Sequence, residues 1–375
     1  MDTIEAPARL VDHHCHGVAR HALTEARFAS YLTESDAPAA PGTTFFDTQL
    51  GFALRRWCPP ALGLPAHCPA ADYLARRTEL GTDETTRRLL RATGITDLLV
   101  DTGLSGGLTT PARLATVSGA RAHEIVRLET LAEAAADAAG SAQELVTLLA
   151  SGVHDAAGTA IAFKSVIGYR HGLDFAPEPP TDQEVRRAAD RWLAGRRPGG
   201  RLTDPVLLRH LLWTAVATGR PLQFHTGFGD PDLRLHRCDP LLLTDFLRAV
   251  RPTGCPVVLL HTYPYHRNAA YLSHAYAHVH TDIGLAVPHV GARALDVLAE
   301  TLELAPFGKL MFSSDAYGLP ELYLTATRLF GRALGRLLSG WVDDGAWTAG
   351  DARRVADLIA SGNARRVYGL EPAGA

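Results

Sequence analysis

Eight short apolar runs, separated by stretches with helical spacing, restrict more than any other feature what this chain can fold into. The runs span Leu10 to His16, Ile95 to Thr102, Glu124 to Leu128, Ala160 to Ile167, Pro221 to Thr226, Pro256 to His261, His278 to Ile283 and Leu310 to Asp315. Helical patterns fill the gaps: Ala132 to Leu149, Thr181 to Leu193, Pro205 to Thr218, Pro240 to Val250, Ala269 to Ala277, Ala292 to Leu304, Glu321 to Leu338 and Ala349 to Ser361. Short strands alternating with helices indicate a parallel α/β protein, and eight of them is the count of a (β/α)8 TIM barrel. An open doubly wound sheet also alternates, but it usually carries a glycine-rich phosphate turn after its first strand, and His16-Gly17-Val18-Ala19 is not one. At 375 residues and 46% hydrophobic content the chain suffices for a single barrel domain over 1–375. The one long interruption, 17–94, has a proline-rich centre and a helical flank from Ala71 to Arg91; it reads as a helical insertion after strand 1, placed to cap a pocket.

Composition excludes several function classes. A net charge of -3 without basic runs gives no footing for nucleic acid. No stretch approaches the roughly 18 apolar residues that cross a bilayer, and the N-terminus lacks the pattern of a signal peptide, so a cytoplasmic protein with no membrane partner is expected. The five cysteines are scattered without a C-x-x-C pair, which argues against a disulfide framework and a zinc ribbon. What remains is a small-molecule substrate, with a homodimer as the default assembly.

Strand 1 carries the strongest chemistry. In a regular strand Asp12, His14 and His16 share one face while His13 and Cys15 take the other, so two imidazoles can grip one metal ion. In a barrel, functional groups sit at the C-terminal strand ends. Those ends hold His14 and His16, Lys164, His225, His261 and Asp315, each closing a run that a strand would bury. Buried charges persist where they neutralise one another or bind a cation. Of 37 basic residues only Lys164 and Lys309 are lysine, which draws attention to the amine at Lys164.

This pattern resembles the amidohydrolase superfamily. The stretches Phe163-Lys164-Ser165-Val166-Ile167-Gly168-Tyr169-Arg170, His225-Thr226-Gly227-Phe228-Gly229-Asp230, His261-Thr262-Tyr263-Pro264-Tyr265-His266-Arg267 and Phe312-Ser313-Ser314-Asp315 are similar to its amidohydrolase-2 branch, which includes the domain fused to glutamine-synthetase-like domains in nodulin and FluG-type proteins. The resemblance implies a divalent metal, most readily zinc, held by His14, His16, His225 and Asp315, with Asp315 also moving the proton and His261 polarising or protonating the substrate. It further implies that Lys164 is either a carbamate bridge between two metals or, with one metal, a charged hydrogen-bond donor; one ion is the expectation. Arg170 and Arg234 are candidates for binding a substrate carboxylate. Asp230, Asp232, His236, Tyr263 and His266 are candidates for specificity, whereas His171, His274, His278, His280 and His289 read as surface or packing residues. The reaction implied is hydrolysis of a non-peptide C–N bond, an amide or cyclic amide and by kinship a γ-glutamyl-type one, in a small carboxylated molecule. The alternative is non-oxidative decarboxylation of a small aromatic or unsaturated acid on the same metal.

Overall fold

The computed structural model describes residues 9–104 and 106–371. Its centre is a seven-stranded, wholly parallel sheet whose spatial order follows the sequence: β1 (Leu10–Cys15), β2 (Ile95–Asp101), β3 (Arg121–Arg127), β4 (Ala162–Ser165), β5 (Leu222–Thr226), β6 (Val257–His261) and β7 (Val279–Thr281). Each strand pairs with the next, which requires a helical crossover to return the chain to the same end of the sheet. One face of the sheet packs on Val11, Leu99, Ile125, Ala162, Leu260, Met311 and Tyr368. On the other face Phe163, Leu222, Phe224, Val257 and Leu259 meet helix residues such as Ala132, Leu149, Val185, Leu207 and Leu211. Burial on both faces is why the strands read as near-continuous apolar runs.

The expected eighth strand is a correction. Leu310 forms only an isolated parallel bridge to Thr281 of β7. Beyond it the segment turns to β1: His13 N donates to Phe312 O (3.2 Å), Asp315 N to His14 O (3.0 Å) and His16 N to Ala316 O (2.9 Å). The ladder fails because Asp315 takes a left-handed backbone (φ 49°) and the Ser314 N–H is diverted to the Asp12 carboxylate at 2.8 Å. The 310–318 segment is thus bonded to both edges of the sheet without being a regular strand.

Helices form where their spacing predicts, with two breaks. The stretch from Ala71 to Arg91 splits into Ala70–Leu80 and Thr82–Arg91 at Gly81, whose φ of 76° suits only glycine. The Ala/Leu-rich stretch after β3 becomes Leu128–Ala138 and Ala142–Ala157, the second begun by the Ser141 hydroxyl accepting the Glu144 N–H. Segment 17–94 also contributes helices Glu25–Ala29 and Gln49–Ala61, and its own cluster includes Phe28, Leu32, Phe46, Leu54 and Tyr73. That cluster meets Leu319 and Leu324 of the long helix Pro320–Asp343 and its approach. Buried Glu321 fastens the contact, accepting from Tyr73 Oη (2.9 Å) and Arg77 Nε (2.6 Å). No helix of the described residues is long and apolar enough to cross a membrane.

Candidate metal centre

β1 does not run as a regular pleat. Against β2 it pairs Asp12 with Leu98 and Cys15 with Val100, three steps opposing two, so a bulge lies between them. The simple alternation is therefore corrected. His13 joins the inner groups, with Nδ1 3.1 Å from Tyr368 Oη and Nε2 2.9 Å from Asp282 Oδ2. His14 and His16 still point together into the site. Asp12 turns away from them and takes the Ser314 N–H and hydroxyl, while Cys15 packs with Leu98, Val100 and Tyr323, remote from any ligand role.

His14 Nε2 and His16 Nε2 lie 3.2 and 3.3 Å from Asp315 Oδ1. Among the described residues these three side chains form a group whose ligand atoms all fall within 4.8 Å of one another. The opposite ring nitrogens are committed: His14 Nδ1 donates to Gln223 Oε1 at 2.8 Å and His16 Nδ1 to Asp101 O at 3.1 Å. Gln223 is itself fixed, its amide donating to His13 O (3.0 Å) and Tyr368 Oη (2.7 Å). Both Nε2 lone pairs are left facing a carboxylate oxygen, an arrangement of converging acceptors that repels unless a cation sits among them. Burial, reinforced by Lys164, brings the His14 pKa down to about 3, so its ring is neutral. For Asp315 burial pushes the pKa upward, but the electrostatic influence of His261 and of the neighbouring His14 and His16 rings prevails and holds it well below the usual carboxylate range, an anion. The cation nearest this group is Lys164, whose Nζ is 3.2 Å from His14 Nε2 and whose pKa falls to about 8 through burial, partly offset by Asp101 and Asp315. The donor set fits a divalent ion.

His261 stands across from this group, Nε2 3.6 Å from Asp315 Oδ2, and neither ring nitrogen has a hydrogen-bond partner among the described residues. Both His261 (φ 71°) and Asp315 hold left-handed backbones, which cost about 1–3 kcal/mol each. The Asp282 carboxylate holds the first by accepting the His261 N–H at 2.5 Å. His225 sits beside the group rather than in it: its Nε2 is 3.1 Å from Phe228 O and its ring 4.7 Å from that of His261. Burial, then His261 and Lys164, keep its pKa well below the usual imidazole range.

These groups floor a cavity of about 460 Å3. Tyr31, Glu34 and Asp36 from segment 17–94 line it, as do Asp230 and Asp232 from the loop after β5. Arg170 lines it too, with Nη2 3.2 Å from Glu133 Oε1. Arg234 instead belongs to an adjoining polar recess with His171 and Arg237. Tyr263 and His266 stack on each other outside the cavity wall, and His266 contacts Glu300 at 2.6 Å; His236 is likewise not part of the wall. Arg127 and Glu34, not singled out in the sequence, line the cavity, as does Tyr169, quoted there without a role; His289, expected on the surface or in packing, lines it too and is a correction. Arg127 ends β3 as Lys164 ends the inner run of β4, so the strand-end test applied there would have found it. Nothing in the sequence marks His289, which reaches the cavity from the short helix Ala286–Val290 and lies 3.6 Å from Glu34.

A model of the amidohydrolase family matches residues 106–370. The Emericella nidulans protein fluG is 34% identical over 222 residues, 56% of this chain but only 26% of that longer protein. A Lactobacillus casei protein assigned as a metal-dependent hydrolase superposes with a TM-score of 0.84 at 28% identity, covering 98% of this chain and 96% of that one. A uronate isomerase from Bacillus halodurans shares the fold, with a TM-score of 0.67 at 12% identity over 98% of this chain and 94% of its own.

Proposed function

The chain belongs to the amidohydrolase family, a family of metal-dependent enzymes, and we propose that within it this protein hydrolyses a non-peptide C–N bond in a small carboxylated molecule. The bond we assign is an amide or cyclic amide, of which a γ-glutamyl-type amide is the first to test. The observation that carries the reading is the convergence of His14 Nε2, His16 Nε2 and Asp315 Oδ1, each nitrogen fixed from behind by a hydrogen bond at its other end. The fold we assign is a (β/α)8 barrel closed through 310–318, with segment 17–94 as its cap. The decarboxylase alternative is not favoured by the family match or the structural relatives.

Two imidazoles and a carboxylate suit zinc, and we assign one ion, with His225 next in line as a further ligand. When bound, such an ion supplies Lewis acidity that makes water nucleophilic near neutral pH. The chain's own residues do the rest. Asp315, held anionic, has Oδ2 turned to the His261 side and can accept a proton from the attacking water and deliver it to the leaving nitrogen. Buried His261, with both nitrogens unengaged, is placed to donate to the substrate carbonyl. Lys164 contributes positive charge beside His14. Its amine could instead be carboxylated to bridge two ions, and the Lys164→Arg variant separates the cases: metal per chain is expected to stay the same, and a halving would establish two ions. A panel of amides, cyclic amides and γ-glutamyl amides, assayed for amine release, tests the reaction itself. Release with none of them, from metal-loaded protein, would refute it.

A further inference from the structure

Besides the metal-binding group, the cavity wall holds one rigidly built cation. The Arg127 side chain is 11% exposed, and its Nε and Nη2 both donate to Asp101 Oδ2, at 3.1 and 2.5 Å. The other oxygen of Asp101 accepts the Gly103 N–H at 2.8 Å. Gly103 makes room for the arginine: a Cβ there would lie 2.4 Å from Arg127 Cβ and 2.6 Å from its Nε. With one edge of the guanidinium fixed, the edge formed by Nη1 and the second hydrogen of Nη2 remains; Nη1 makes no hydrogen bond among the described residues. Lys164 and Arg170 line the same cavity, and Arg170 Nε is buried without a hydrogen-bond partner. Asp101 engages Arg127 and Glu133 engages Arg170, while Arg201, which also lines the cavity, pairs with Asp232; the exposed acidic residues of the lining, Asp36, Asp230 and Asp232, come from loops.

We propose that Arg127 is the anchor for the substrate's carboxylate, donating to its two oxygens from the free edge of the fork while Arg170 supplies the second contact. The enzyme then takes anionic amides, bound with the carboxylate on the β3–β4 side of the cavity and the scissile bond towards Asp315. A planar fork held in place before binding loses little freedom when it pairs with a carboxylate, and such pairs are among the strongest neutralising contacts in a cavity. The assignment of bond orientation rests on the hydrolase reading; the anion seat itself does not.

The test is calorimetric binding of glutarate, and of uncharged glutaramide, to metal-loaded wild type and Arg127→Gln. Glutarate should bind wild type at least about 30-fold more tightly than the variant, as expected for loss of a charge-assisted pair. Glutaramide should bind both equally, and metal per chain should be equal in both, which separates an anion seat from a prop for Asp101. Because the variant can misfold, wild type is also treated with phenylglyoxal, and glutarate but not glutaramide should shield Arg127. Unchanged glutarate affinity in Arg127→Gln, equal modification of Arg127 with and without glutarate, or no glutarate binding to wild type would overturn the proposal. Glutarate binding that depends on Arg127, without hydrolysis of any amide, would instead sink the hydrolase reading and leave the seat standing.

Discussion

At the scale of single residues, the candidate site rests on side chains that lie behind the converging histidine nitrogens. Gln223 sets the tautomer of His14 by accepting its Nδ1 hydrogen, and the amide is held in turn by His13 O and Tyr368 Oη. Gln223→Leu should therefore fold but bind metal about 10–100-fold more weakly, as expected for loss of an outer partner of a ligating histidine. Titration against a chelating competitor measures this, and unchanged affinity would remove Gln223 from that role. Asp315→Asn should keep much of the metal yet lose turnover by about 100-fold or more, because an amide cannot shuttle the proton. Full activity in a variant of verified sequence would take the proton role away from Asp315. The residues proposed to carry this chemistry stand out in the sequence because each interrupts or closes an apolar run: His16, Lys164, His225, His261 and Asp315 line the cavity, and His14 lies 3.2 Å from Asp315. Arg127 follows the same rule. Glu34 stays unassigned and His289 reads as a surface or packing residue in the sequence because they arrive from a loop and a short helix, where no periodicity marks an inward face.

At the scale of elements, alternation and topology diverge where the backbone is irregular. The bulge in β1 leaves His14 and His16 together but exchanges the places expected for Asp12 and His13, and no parity argument detects an inserted residue. The segment 310–318 has the composition of a strand, yet the left-handed turn at Asp315 and the Asp12–Ser314 bonds break its ladder. Elsewhere carboxylates tie elements together. Asp97 on β2 accepts from Arg121 Nε of β3 at 2.6 Å and from Arg365 Nη2 of the helix Asn363–Tyr368 at 2.7 Å. Burial alone would raise its pKa, but the bonds from His123, Arg121 and Thr96 and the charge of Arg365 hold it well below its ordinary 3.8. A depressed carboxylate stabilises the fold fully above its unfolded value and loses that contribution as pH falls. Wild type should accordingly lose about 2 kcal/mol more than Asp97→Asn between about pH 4 and pH 2, read from denaturant midpoints. Parallel curves would contradict the assignment. Glu321→Ala removes the partner of buried Arg77 and should cost about 3–5 kcal/mol, loosening segment 17–94 before the sheet; hydrogen exchange confined to that segment would show it, and uniform exchange would not.

At the scale of the whole molecule, the parallel sheet brings groups from distant parts of the chain to one end, and segment 17–94 adds residues to the cavity above them. Everything proposed for the site depends on His14, His16 and Asp315 holding a metal ion. Metal content per chain tests it most directly, measured by mass spectrometry of the elements on protein purified without chelator, beside His14→Ala prepared the same way. We predict about one equivalent in wild type and a large loss in the variant with its fold retained. Wild type without metal even after reconstitution, or His14→Ala at full occupancy, would contradict the account.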